Sequence, residues 1–487
     1  MHASALPVLP AFQALLLGRV ARRARPQVPP AVLGAKSLRQ LRALFGGLIP
    51  DSRWQGPALE PSRRERLFTP LITFWAFLSQ VLAADSACRT AVRKVQAWWV
   101  RRGGGPLSAN TSAYCQARAR LPEETLEALH AQLAQRLETN VPAERLWRGR
   151  RVRVVDGTTG SMPDTASNQR AYPQPSGQKA GCGFPMLKVV ALFSLASGAL
   201  LRAVHGPVRG SEVHLFRQLW AHLTQGEVVL ADRGFCSFGC LVALQQRGVD
   251  CVMRLHQTRR VTWREGQRLG PADRLVQWRK PRRRPQLLSA EEFAALPATL
   301  PVRLVRLQAR LKGFRPRTLV VATTLLDPVA YPAAALAELY LQRWGVELHF
   351  RELKTLMRLD VLRCRSPQMV RKELLMHWMA YNLVRAVMLQ AALQYQVALS
   401  RLSFKGTLDA LQAFAAVLQG GGLSVRQQAA LESELLRLIA ADPVRPRPGR
   451  VEPRARKRRP KNYQLLTKPR REMVLTQRRS CHKAPLT

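Results

Sequence analysis

The segment YLQRWGVELHFRELK, Tyr340 to Lys354, decides how the rest of the chain is read. Wound as an α-helix at about 100° per residue, it projects Tyr340, Arg343, Glu347 and Lys354 within an arc of roughly 60°. A lone Glu between an Arg and a Lys on one helical stripe usually makes a solvated ion-pair face. Two further carboxylates give the stripe another meaning. Asp156 ends the apolar run RVRVVDGTT and Asp232 ends VVLADRGF, so a buried strand would deliver each side chain to the rim of a sheet. Three acids on two strand ends and one helix can hold two divalent metals and drive phosphodiester chemistry.

Around these acids the sequence reads as alternating strands and helices. Arg151 to Val155 is expected as a strand. Met186 to Leu195, the turn Ala196-Ser197-Gly198 and Ala199 to His205 form a hairpin. Glu212 to Leu223 carries Phe216, Leu219, Trp220 and Leu223 at i, i+3, i+4 and i+7, the pattern of one buried helical face. Val228 to Ala231 is a strand, Ser237 to Arg247 a helix closed by Gly248, and Asp250 to Leu255 a strand. Three strands, helix, strand, helix, strand, with acids after the first and fourth strands, is the order of a ribonuclease H-like α/β fold.

The expected domain order follows. Residues 1–60 are a basic, Pro-rich arm with one helix near Lys36 to Leu48. Residues 61–145 are a helical unit whose Arg118 and Arg120 suit a DNA-binding module of helix-turn-helix type, although ordinary helical packing fits nearly as well. The core occupies 146–255, yields to a β-rich, basic insertion at 256–325 carrying Arg283, and resumes with the catalytic helix at 326–400. A helical segment at 401–440 precedes a basic tail at 441–487. From Arg445 to Lys483 the tail holds fifteen Lys or Arg, Arg458 among them, against Glu452 and Glu472. Such an arm binds phosphates without reading sequence.

Composition narrows the class. With 77 Lys plus Arg against 31 Asp plus Glu, the 487-residue chain carries a formal charge of +46. Basic side chains displace the counterions condensed on nucleic acid, so this excess points to a polyanionic partner. The eight cysteines form no Cys-x2-Cys pair and read as reduced thiols. The longest apolar stretch, Leu374 to Leu393, is broken by His377, Asn382 and Arg385, which favours a core helix over a membrane span.

Tyr-x2-Arg-x3-Glu-x6-Lys, met by Tyr340, Arg343, Glu347 and Lys354, resembles the signature of insertion sequence family four among the DDE transposases. Asp156 with Thr158 and Thr159, and Asp232 in LADRGF, resemble that family's other two blocks in the same order. The resemblance implies Asp156, Asp232 and Glu347 as catalytic metal ligands. It implies two Mg2+ ions per site, with Mn2+ as a substitute, because hard cations require oxygen donors. Tyr340, Arg343 and Lys354 are expected to grip the phosphate beside the cleaved bond. The implied partners are DNA, as terminal inverted repeats and target, and a second copy of the chain in a homodimer on that DNA; no membrane is involved. The implied place is the bacterial cytoplasm, at the nucleoid.

The family's members cut element ends and join the 3′ ends to target DNA, many through a hairpin intermediate aided by a tryptophan near the end of the insertion. Thr318 to Val321 contains no Trp. Trp263 or Trp278 could substitute, and core packing explains either equally well. A DNA-binding protein, or a nuclease of the same fold without strand transfer, is the competing reading.

Overall fold

The computed structural model describes residues 67–83, 86–100, 104–259, 261–285, 288–309, 317–418, 424–444 and 466–474. The arm at 1–60, the helix expected near 36–48 and Arg458 lie outside these residues.

Four helices come first: α1 (Pro70–Leu82), α2 (Cys88–Val100), α3 (Ser112–Arg120) and α4 (Glu123–Thr139). The Thr69 hydroxyl caps α1 by accepting from the Ile72 amide, and Pro70 occupies a first-turn position where no amide is needed. The core then lays down β1 (Val152–Ser161), a short α5 (Ala166–Ala171), the hairpin β2 (Met186–Ser194) and β3 (Leu200–Pro207), α6 (Glu212–Leu219), β4 (Val228–Ala231), α7 (Phe238–Gln245) and β5 (Asp250–Arg254). Gly198 makes the hairpin turn at φ +69°, a region that glycine enters without a Cβ clash. Phe216, Leu219, Trp220 and Leu223 are all buried as their spacing predicts, although the last turn tightens to a 3-10 form over Trp220–His222.

β1, β4 and β5 run parallel, while β2 and β3 add antiparallel on the other side of β1. This is the ribonuclease H-like arrangement. Its central strands alternate between two cores. Val152, Val154, Val228, Leu230 and Val252 face the helices α1, α4 and a long later helix, and Val155, Val229, Ala231, Cys251 and Met253 face α6 and α7. Burial on both faces is why these strands read as unbroken apolar runs. Fully burying a side chain of this size contributes about 1.5–3 kcal/mol.

β1 departs from expectation. It does not stop at Val155: pairing with β2 continues from Asp156↔Ala191 to Ser161↔Met186, while pairing with β4 ends at Val155↔Ala231. Asp156 is therefore the first residue whose β4 side is open. A buried ion cluster sets this register from below, where Arg153 of β1 bonds Glu227 at 2.7 Å and also pairs with Glu138 of α4.

The β-rich insertion is the outer half of the same sheet. β6 (Gln267–Gly270), β7 (Asp273–Arg279), β8 (Thr299–Ala309) and β9 (Arg317–Thr323) extend it, with the short α8 (Ala290–Ala294) between β7 and β8. The strand order is β3-β2-β1-β4-β5-β9-β8-β7-β6. β9 pairs antiparallel with β5 and so returns the chain to the centre of the sheet. After it come α9 (Ala333–Gln342), α10 (Gly345–Arg351), the 28-residue α11 (Pro367–Gln394), α12 (Phe404–Leu418) and α13 (Val425–Ala441). Asn382 of α11 bonds both the amide and the carbonyl of Leu200, each at 2.8 Å, and so fixes α11 to the β3 border. No helix among the described residues is long and apolar enough to cross a membrane. The cysteines among the described residues are free.

Arg303 joins the outer strands to the segment leading into α9. Its fully buried guanidinium bonds Asp273 through Nε at 2.9 Å and Nη2 at 2.5 Å, and Nη1 donates to the carbonyl of Tyr331 at 2.7 Å. Removing one member of such a pair strands the other in the interior, so Arg303→Met is expected to lower stability in urea unfolding by about 3–5 kcal/mol. Arg303→Met with Asp273→Leu should recover most of that loss. A single variant as stable as the parent would show that the clamp carries no weight.

Candidate active site

Two adjacent parallel strands carry the first two acids. Because Val155 pairs with Ala231, the next residues, Asp156 and Asp232, stand at one level just where β4 ends, on backbones about 5 Å apart. Each carboxylate is oriented by a local amide: Gly157 N donates to Asp156 Oδ1 and Gly234 N to Asp232 Oδ1, both at 2.8 Å. The third acid arrives on α10. Arg343 holds it in relation to the first, with Nη1 at 3.3 Å from Asp156 Oδ2 and Nη2 at 3.7 Å from Glu347 Oε1. Asp232, Arg233, Arg254, Tyr340, Arg343, Trp344 and Glu347 line one pocket of about 250 Å³, with Leu319 of β9.

The decisive stretch is not one even helix. Around Arg343 the bonds shorten to i→i+3, from Arg343 N to Tyr340 O, Val346 N to Arg343 O and Glu347 N to Trp344 O. Beyond Arg351 they lengthen to a π-helical turn over Glu352–Leu356, where Met357 N donates to Glu352 O. Tyr340, Arg343 and Glu347 keep a common side, but the expected 60° arc is lost at Lys354. That residue lies within the widened turn, is half-buried, and does not line the pocket. π turns are rare and concentrate at functional sites.

Electrostatically the pocket mixes signs, with Asp232 and Glu347 facing Arg233, Arg254 and Arg343. Burial, then the nearby Asp232 and Glu212, push the Asp156 carboxyl up to about 6 against the opposing pull of the Gly157 amide and Arg343. Glu212, at the start of α6, stands against Gly157 so closely that an added Cβ there would lie 3.0 Å from its carboxyl carbon. Tyr340 is buried, and its hydroxyl is pushed up to about 12, so it stays a neutral donor. Arg343 Nε is buried without a hydrogen-bond partner. The all-oxygen donor set of Asp156, Asp232 and Glu347 suits a hard divalent cation. It is not a finished cage: among the described residues no three acids, His or Cys already stand in a metal-holding group. The Glu347 side chain is 62% exposed where Asp156 is 22% exposed, so Glu347 is the member free to complete the set.

Other expected contacts divide. Arg118 is a correction: it is buried inside the helical unit, where its guanidinium lies 4.8 Å from the Phe77 ring and 5.0 Å from the Tyr114 ring and donates to Gln80 at 3.2 Å. It organises that unit's interior and presents nothing to a ligand. Arg120 and Arg283 are exposed. Trp278 is buried under Arg259, whose guanidinium is 3.8 Å from the ring, and Arg306 covers Trp263 at 4.0 Å. Both rings are occupied by packing.

Arg233, Arg254 and Trp344 line the pocket without having been singled out from sequence. Arg254 carried the same signal as the acids, a charged residue closing a buried strand, and Trp344 lies inside the decisive stretch itself.

Residues 147–383 match the family model described as Transposase DDE domain. Over 283 residues the chain is 29% identical to "Transposase InsG for insertion sequence element IS4" of Escherichia coli (strain K12), covering 58% of this chain and 62% of that protein. Over 140 residues it is 31% identical to "Putative transposase InsZ" of the same organism, covering 28% of this chain and 47% of that protein. The chain thus spans less than two thirds of either relative. Among solved structures, a piggyBac transposase synaptic complex with hairpin DNA aligns over 89% of this chain and 82% of that one, at a TM-score of 0.38 and 9% identity.

The raised Asp156 carboxyl has a measurable consequence in chelator. A folded-state value above the unfolded one leaves full stability below about pH 4, and that stability is lost as pH climbs through about 6. Asp156→Asn should therefore be more stable than the parent at pH 8 by about 1–3 kcal/mol, with the gap closing below about pH 4. A gap that does not change with pH would refute the assignment.

Proposed function

We propose, from the premise that residues 147–383 are a transposase DDE domain, that the whole chain mobilises an insertion sequence. It binds the terminal inverted repeats, cuts the element ends by metal-dependent phosphodiester chemistry and joins the exposed 3′ ends to target DNA. The observation that carries this reading is the pocket in which Asp232, Glu347 and Arg343 meet, with Arg343 reaching on to Asp156.

Asp156, Asp232 and Glu347 would hold the divalent cations, proposed as two Mg2+. When bound, such ions lower the pKa of an attacking water and take up charge on the leaving 3′ oxygen. The chain's own side chains bind and orient the DNA. Arg233, Arg254 and Arg343 converge on one pocket, and guanidinium groups match the planar geometry of a phosphate. Arg343 is already turned toward two carboxylates, so phosphate entering the pocket competes for the same guanidinium. Its transfer from Glu347 to phosphate would release Glu347 to join the other acids. Tyr340 donates from a neutral hydroxyl.

Arg120, Arg283 and, in the basic tail, Arg458 supply sequence-independent phosphate contacts. The +46 charge makes that affinity strongly salt-dependent. Two copies acting on two ends, in the bacterial nucleoid, complete the proposal.

Asp156→Ala, Asp232→Ala and Glu347→Ala should each reduce Mg2+-dependent nicking of end DNA to background while leaving the Kd for that DNA within about threefold of the parent. Any acid whose removal leaves the parental nicking rate drops out of the site. Arg343→Ala should slow end cleavage by about 100-fold and weaken nonspecific binding far less. Equal losses in both would make Arg343 part of a general phosphate surface.

A further inference from the structure

Glu347 stands on a helix that cannot hold itself. α10 has seven residues, is preceded by the tightened turn at Arg343 and followed by the π turn at Glu352. A free-standing helix of two turns is unstable in water, so its place depends on what its side chains grip. At its leading end Arg343 grips Asp156. At its trailing end is a buried polar knot that the proposed chemistry does not use.

Arg385 of α11 pairs with Glu352, the first residue of the π turn, and both are almost fully buried. The same Arg385 Nη2 donates to His349 Nδ1 at 2.7 Å, so one nitrogen serves both α10 and the π turn. Arg385 Nε donates to the Tyr381 hydroxyl at 2.9 Å, which donates to the Gly198 carbonyl at 2.8 Å. Gly198 makes the β2–β3 turn, and an added Cβ there would lie 3.3 Å from Arg385. The His349 ring stacks on Phe193 of β2, centroids 5.3 Å apart. Phe193 pairs with Val154, two residues before Asp156. The knot therefore fastens the trailing end of α10 to the strands that carry the first acid, five residues and roughly 7–8 Å along the axis from Glu347.

We propose that Arg385 and Glu352 are positioning residues for Glu347: their pair, forked onto His349 and Tyr381, sets the depth and rotation of α10 against the sheet. Its bearing on catalysis rests on the function proposed above, while its mechanical content does not. Replacing a buried ion pair by apolar residues of similar size commonly preserves stability. It does not preserve direction, because apolar packing lacks the fixed angles of a guanidinium fork.

The test is Glu352→Leu with Arg385→Met in the full chain, alongside Arg385→Lys, which keeps the charge and loses the fork. Amide hydrogen exchange over residues 345–351 is followed with cleavage of end DNA bound before Mg2+ is added. In whichever variant keeps the parental melting temperature, exchange in α10 should rise at least about tenfold while β1 and β4 stay protected. Single-turnover cleavage should fall at least about tenfold with the DNA Kd unchanged. Parental protection of α10 in such a variant overturns the proposal, and so does parental cleavage. Exchange that rises equally in α10, β1 and β4 also overturns it, by making the pair a general stabiliser. A parental chain that cuts no end DNA would instead sink the transposase reading, and the exchange comparison would still decide whether the knot holds α10.

Discussion

The candidate site depends on delivering two carboxylates side by side at the open rim of a sheet. Asp156 and Asp232 are brought to one level by the pairing of their strands, and burial, with a smaller push from the neighbouring Asp232, raises the Asp156 carboxyl. The chain answers with a guanidinium. Arg343 reaches both Asp156 and Glu347, and burial still holds the Asp156 carboxyl up at about 6 against its pull.

The sheet was largely legible in the sequence. β4 spans Val228–Ala231 as its apolar run indicates, because a strand covered on both faces leaves no ambiguity about where polar residues begin. β1 was harder. Its far half carries Gly157, Thr158 and Thr159, which look like a turn until the partner strand is known, and pairing from Met186 onward keeps them extended. Tertiary pairing overrode local propensity there.

Helical stretches hid more. A single period cannot represent a segment that tightens at Arg343 and widens at Glu352, so the wheel that correctly grouped Tyr340, Arg343 and Glu347 misplaced Lys354. Arg118 shows the limit of counting charges. Nothing in the spacing of Arg118 and Arg120 shows that the first turns inward onto Phe77 and Tyr114 while the second is exposed. The order of strands beyond β5 was also beyond reach. The β-rich character of 256–325 was legible, but only long-range pairing reveals that its strands continue one sheet.

That continuity frees chain length from spatial arrangement. Since β9 returns beside β5 and Leu319 of β9 walls the pocket, the third acid is delivered from the middle of the sheet, however much polypeptide has been spent outside it. Growth or trimming at the β6 border would lengthen or shorten the 115-position interval between Asp232 and Glu347 without altering their separation in space. The periphery can diversify while Asp232 and Glu347 keep their places at the pocket.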